Sequence, residues 1–124
     1  MLHSRGATTK SIGRISYVEF VHVGQAFQLG RYPIHFHLEG SVHDSYIIGN
    51  SVHHTFNRAF TIHGVSFLRL FKNVAYHTMG HTYFFEDAIE TKNILEDNIA
   101  FLTRASASLL NTDMTPASFW ITNP

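Results

Sequence analysis

Gly30-Arg31-Tyr32-Pro33-Ile34-His35-Phe36-His37-Leu38-Glu39-Gly40 is the stretch whose reading decides the fold. Ile34, Phe36 and Leu38 alternate with His35, His37 and Glu39. That is the two-residue period of a strand with one apolar and one polar face. The polar face reads His-x-His and ends in a carboxylate. The same phase returns in Phe60-Thr61-Ile62-His63 and in Tyr83-Phe84-Phe85-Glu86. Placing Phe36, Ile62 and Phe85 at equivalent inward positions stacks His37, His63 and Glu86 in one outward column, at steps of 26 and 23 residues.

A second set of matches runs beside the first. Ser45 to His54, Leu68 to His77 and Asn93 to Leu102 align on Asn50, Asn73 and Asn98, at steps of 23 and 25 residues. Three residues before each asparagine stands Ile47, Leu70 or Leu95. Two residues after it stands Val52, Ala75 or Ala100. Short strands recurring at a period in the low twenties, with asparagine at a turn, indicate a solenoid. No helical pattern separates the strands, which argues against βαβ units. The Leu-x-x-Leu-x-Leu pattern of a leucine-rich repeat is missing. The chain is therefore expected to be all-β, a right-handed parallel β-helix of about four to five coils. Inward asparagines at one bend would bond from coil to coil and satisfy the backbone there.

Residues 1–13 are small and polar and read as an N-terminal tail, and residues 14–124 as the repeats. Arg14 to Val23 is rich in β-branched and aromatic residues and reads as strand. After Arg104 the rhythm loosens. Leu109-Leu110-Asn111 is placed in the next coil, Thr115-Pro116 is a break, and Ser118 to Thr122 is a further strand. Solenoids close their ends with polar caps. None is visible in this sequence, so the expectation is a piece of a longer β-helix whose end coils, with unpaired edges, favour self-association.

Composition narrows the function classes. The 124 residues carry nine Lys+Arg against nine Asp+Glu, a formal net charge of zero. That gives no basic footprint for nucleic acid. No run approaches the roughly 18 apolar residues of a membrane span. Met1 to Lys10 lacks the features of a secretory signal. Cysteine is absent, which removes disulfides and thiolate chemistry. Ten histidines and eleven phenylalanines stand out. Histidine in that number points either to interior stacking in a repeat or to metal and acid–base work.

Four stretches carry a family likeness: Gly30 to Leu38, Phe56 to Gly64, Met79 to Asp87 with Ile89 and Glu90, and Thr115 to Pro124. Together they resemble the β-helix region shared by fibrocystin, fibrocystin-L and the cell-migration-inducing hyaluronan-binding proteins. The C-terminal stretch looks most like the fibrocystin-L branch. The resemblance implies an extracellular or cell-surface protein with a G8 domain ahead of the β-helix. It implies hyaluronan binding and depolymerisation for one branch and a receptor-like role for the other.

The residues offer three kinds of chemistry. His37, His63 and Glu86, with His35 one strand-repeat away on the same face, form a candidate metal set. Imidazoles with a carboxylate suit a zinc-like divalent ion rather than calcium, which prefers oxygen donors. The alternative is a polar histidine ladder. If the column is catalytic, His37, His63 and Glu86 are its candidates, acting as a metal-dependent, glycosidase-type hyaluronan depolymerase. Glycoside cleavage needs two carboxyl groups about 5–5.5 or 6.5–9.5 Å apart. Glu86 and Asp87 make a poor pair, because neighbours on a strand face opposite ways; Glu86 with Glu39 or Glu90 is the alternative. Arg31, Tyr32, Arg58 and Asp87 are candidate contacts to a polysaccharide, the arginines through bidentate pairing with a sugar carboxylate. For Arg31 and Arg58 the competing reading is a salt bridge to Asp44 or Asp87. Tyr83 and Trp120 offer stacking surfaces, with core packing the competing reading. His53, His54, His77 and His81 form a second histidine group, in which His54 and His77 share a repeat phase. Three readings follow: an extracellular polysaccharide-binding or receptor-like segment, a depolymerase, and a purely structural solenoid.

Overall fold

The computed structural model describes residues 2–5, 11–107 and 111–122. Its strands are β1 (Leu2–Arg5), β2 (Arg14–Ser16), β3 (Glu19–Val21), β4 (Ile34–Ser41), β5 (Tyr46–Ile48), β6 (Ser51–His53), β7 (Phe60–Ser66), β8 (Arg69–Phe71), β9 (Val74–Met79), β10 (Tyr83–Phe85), β11 (Ile94–Glu96), β12 (Ile99–Arg104) and β13 (Phe119–Ile121). One sheet has the order β1-β4-β7-β10-β13. The second is β11-β8-β5-β2 and the third β12-β9-β6-β3. Every third strand therefore stacks on the one a coil earlier, and all the pairings are parallel. Four coils are traced and β13 opens a fifth, the parallel β-helix expected from the repeat.

Register builds the core in columns. Ile34, Phe60, Tyr83 and Phe119 pair in sequence across the first sheet, as do Phe36, Ile62, Phe85 and Ile121. Ile15, Ile47, Leu70 and Leu95 make the second sheet's column. Phe20, Val52, Ala75 and Ala100 make the third. In the middle coils these side chains are buried. The Phe60, Tyr83 and Phe119 rings stack face to face at 4.6 and 4.7 Å. Each fully buried aliphatic or aromatic side chain contributes roughly 1.5–3 kcal/mol. Tyr83 is thus a core residue, and its hydroxyl donates to the Asn73 carbonyl at 3.1 Å.

The asparagine ladder forms at the bend between the second and third sheets. Asn73 Oδ1 accepts from the Asn50 backbone N–H at 3.0 Å and from its Nδ2 at 3.0 Å. Asn98 Oδ1 does the same for Asn73. Each Nδ2 donates to a carbonyl one coil earlier: Ile15 for Asn50, Ile47 for Asn73 and Leu70 for Asn98. The residue before each ladder position, Tyr17, Gly49, Lys72 or Asp97, sits at φ 56°, 66°, 53° or 56°. The left-handed conformation turns the chain sharply enough to start the next short strand.

Two segments depart from the sequence reading. Leu2–Arg5, inside the supposed tail, is a strand paired with Ile34–His37. Main-chain bonding to a sheet edge needs no side-chain alternation, so the polar composition concealed it. Asn111–Met114 is a single 3-10 turn rather than a ladder coil. Its neighbours Leu109 and Leu110 lie outside the described residues.

Candidate histidine–carboxylate site on the first sheet

The outward face of the first sheet carries three columns. Tyr32, Arg58 and His81 each stand two residues before an inward residue of the register-paired set Ile34, Phe60 and Tyr83. One residue after that set come His35, Thr61 and Phe84, paired in turn with Trp120. The third column is His37 and His63, directly paired, with Glu86 just past the end of β10. The backbone N–H of Glu86 still donates to the Ile62 carbonyl at 3.2 Å, so the ladder carries Glu86 to its place.

Apart from Trp120 on the last strand, the first two columns are closed from solvent. The guanidinium of Arg58 donates from Nε to Asp113 Oδ1 at 3.0 Å and from Nη2 to Oδ2 at 2.7 Å. Its Nη1 donates to the Tyr32 hydroxyl at 3.2 Å, and its plane covers the Phe84 ring at 4.0 Å. Arg58 and Asp113 are 0 and 1% exposed. The competing reading for Arg58, a salt bridge, is the one formed, but with Asp113 rather than Asp44 or Asp87. Arg58 and Tyr32 are thereby taken out of reach of a surface ligand. Asp113 arrives from the 3-10 turn and had no signal in the sequence repeat. The Asp113 carboxyl is held below the usual carboxylate range: burial raises it, and the hydrogen bonds and charge of Arg58 outweigh that. Burial pushes His81 below the usual imidazole range, against the attraction of Asp113. His81 packs on Phe84 and Trp120, away from the other histidines of its expected group.

The third column stays half-open. His35, His37 and His63 pack edge to face, with ring centroids 5.1 Å apart for the first pair and 4.6 Å for the second. His35 is buried, while His37 and His63 keep part of their surface in solvent. His63 faces two carboxylates. Glu86 Oε2 lies 3.4 Å from its Nδ1 and Asp87 Oδ2 lies 2.6 Å from its Nε2. Strand alternation would send Glu86 and Asp87 to opposite faces. It does not apply, because β10 ends at Phe85 and the chain bends there. Burial raises the Glu86 carboxyl above its ordinary range, against the pull of His63 and Arg58. Glu90 plays another part: its Oε1 accepts from the backbone N–H groups of Gly64 at 2.8 Å and Asp87 at 3.2 Å, fixing the bend. Arg31 is exposed at the approach to β4.

Elsewhere, His54 and His77 meet edge to face at 4.7 Å at the bend after the third sheet, as their shared phase implied, and His22 meets His54 at 5.7 Å. His53 reaches Glu19 at 3.0 Å.

The CEMIP beta-helix family model matches residues 3–124. Human (Homo sapiens) fibrocystin-L is 52% identical over 113 residues, which cover 90% of this chain and 3% of that protein. Homo sapiens cell surface hyaluronidase CEMIP2 is 43% identical over 106 residues, 80% of this chain and 8% of its own length. The Homo sapiens cell migration-inducing and hyaluronan-binding protein is 36% identical over 118 residues, 90% of this chain and 8% of its own. The chain thus spans less than a tenth of each of these relatives.

Proposed function

This chain belongs to the CEMIP β-helix family, and from that premise we propose that it is a segment of a cell-surface β-helix protein that contacts a hyaluronan-type polysaccharide. The contact face is the outer surface of the first sheet. One observation carries the reading. On a face otherwise closed by Tyr32, Arg58 and Phe84, the register leaves His37, His63, Glu86 and Asp87 together and partly open. Imidazole and carboxylate groups at that spacing offer donors and acceptors to sugar hydroxyls, and Arg31 offers a bidentate partner for a uronate carboxylate. Two of the relatives are named for hyaluronan, one as a hyaluronidase and one as hyaluronan-binding.

Calorimetric titration with hyaluronan oligosaccharides tests it. Binding is expected, weakened about tenfold or more by Asp87→Ala or Arg31→Ala with circular dichroism unchanged, the loss of one charge-assisted hydrogen bond. Binding that both variants retain in full would remove the face from consideration. Folded protein with no affinity would leave the structural reading.

A depolymerising reading has its own support, since Glu86 and Asp87 place two carboxyl groups at one site beside His63. Glycoside cleavage uses such a pair, one as proton donor and one as nucleophile or base. In it, His37, His63 and Glu86 are the catalytic candidates. Shortening of hyaluronan chains by wild-type protein, lost in Glu86→Gln, supports this reading; binding without shortening excludes it.

A further inference from the structure

We infer that His35, His37 and His63 form a binding site for one divalent metal ion of the zinc class, with an open fourth position facing solvent. The inference takes the contact face from the reading above but does not depend on the sugar. Each of the three imidazoles offers a ring nitrogen, and these atoms all lie within 4.8 Å of one another. A tetrahedral ion with metal–nitrogen bonds of roughly 2.0–2.1 Å spaces its donors about 3.4 Å apart. Closing that gap asks for rotation of the half-open His37 and His63 rings, not of the buried His35. The backbone is fixed, because His35 and His37 share β4 and His63 is the direct partner of His37 on β7.

The surroundings match what ligating histidines use. His35 Nδ1 lies 3.1 Å from the Gly30 carbonyl, which can only accept, so Nδ1 carries the proton and the lone pair sits on Nε2. A carbonyl or carboxylate on the far ring nitrogen is the usual device for fixing the tautomer of a metal ligand. His63 has a carboxylate at either nitrogen, Glu86 on one side and Asp87 on the other. Whichever nitrogen turns to the ion, the other keeps an acidic partner. Two carboxylates next to three neutral imidazoles also balance a divalent charge. A three-nitrogen set without sulfur suits zinc, cobalt, nickel or copper(II) and not calcium or magnesium. Glu86 and Asp87 act on His63 as positioning residues. The compact donor set is the three histidines, so Glu86, a candidate ligand from the sequence, moves to the outer shell.

A stacked histidine ladder would look similar but would not hold an ion through gel filtration. The chain is loaded with zinc chloride, desalted and assayed by elemental analysis, with cobalt(II) as a spectroscopic probe. The expected result is about one equivalent of zinc and visible absorption bands of a four-coordinate cobalt site. His37→Ala and His63→Ala, both partly exposed and so tolerant of truncation, should each lower affinity at least tenfold with circular dichroism unchanged. Asp87→Asn should lower affinity about 10-fold, the scale of an outer-shell partner. Wild-type protein that is folded yet retains no ion overturns the inference. So does full retention in the His37→Ala/His63→Ala double variant, which would assign the ion to another place such as the His22, His54 and His77 cluster. Hyaluronan titration of metal-free protein is run separately, so failure of the ion leaves the sugar reading standing, and the reverse.

Discussion

At the scale of single residues, the Arg58–Asp113 pair decides whether the outer face of the first sheet holds its shape. Both groups are buried and doubly hydrogen-bonded. Removing one partner of such a pair strands a charge. Asp113→Ala is therefore expected to cost about 3–5 kcal/mol in denaturant unfolding. Gly80 reports on the same pair without touching its charge. An added Cβ would meet Asp113 Oδ1 at 2.6 Å, and φ is +78°. Gly80→Ala should then destabilise by about 2 kcal/mol or more, from left-handed strain plus the clash. Buried titratable groups around this pair set the pH dependence of thermal unfolding. His81, facing Asp113, Arg58, Phe84 and Trp120, titrates below its unfolded value. The unfolded chain takes up that proton first, so stability is full above about pH 6.5 and declines as pH falls through it. Asp113 titrates below its unfolded value as well, so its contribution is kept above about pH 3.9 and is lost only in stronger acid. Glu86, held above its unfolded value, gains stability as pH falls and so opposes His81; in Glu86→Gln, a melting temperature unchanged between pH 7.5 and 5.5 would contradict the His81 assignment. The sequence allowed a salt bridge for Arg58 but not its partner, because Asp113 is 55 residues away and belongs to a turn outside the repeat.

At the scale of elements, the asparagine ladder holds the bend between the second and third sheets. Asn73→Ala would leave the Asn50 N–H and the Ile47 carbonyl without their partners. An unsatisfied buried polar group costs about 1–3 kcal/mol, so a loss of at least about 2 kcal/mol is expected in chemical denaturation. Asn98→Ala, half-buried near the end of the stack, should cost less. A ladder that tolerated Asn73→Ala at no cost would be ornamental. The ladder was readable from sequence because an amide both donates and accepts and so recurs at one phase. The bends beside it were not. Tyr17, Lys72, His22, His54 and His77 take φ between 52° and 56° without being ordinary turn formers. At these bends the backbone N–H groups of Tyr17, His22, His54 and Lys72 donate to carbonyls of the next coil, a coil-to-coil pairing that the local sequence does not announce. The end of β10 was hidden for a similar reason. Period-two alternation extends Phe85 into Glu86 and Asp87, whereas the Glu90 carboxylate bends the chain and brings both acids to His63.

At the scale of the whole molecule, coil stacking converts a sequence period into columns, and the columns explain both what was foreseen and what was not. The inward columns and the His37–His63 pair follow from phase alone. Which outward positions stay open depends on Tyr32, Arg58 and the 3-10 turn folding back, and no periodicity encodes that. The end strands are also distinct. Phe119 and Ile121 occupy inward columns yet are 42 and 64% exposed, because no strand covers β13 among the described residues. The central claim is that the partly open histidine–carboxylate face of the first sheet is where a glycan meets this chain. Amide and side-chain chemical shifts recorded during titration with hyaluronan oligosaccharide test it most directly. The account predicts saturable shifts confined to Arg31, His37, His63, Glu86 and Asp87. Shifts centred on the second sheet, at Arg69, Lys72 and Glu96, or none in a folded protein at millimolar sugar, would contradict it.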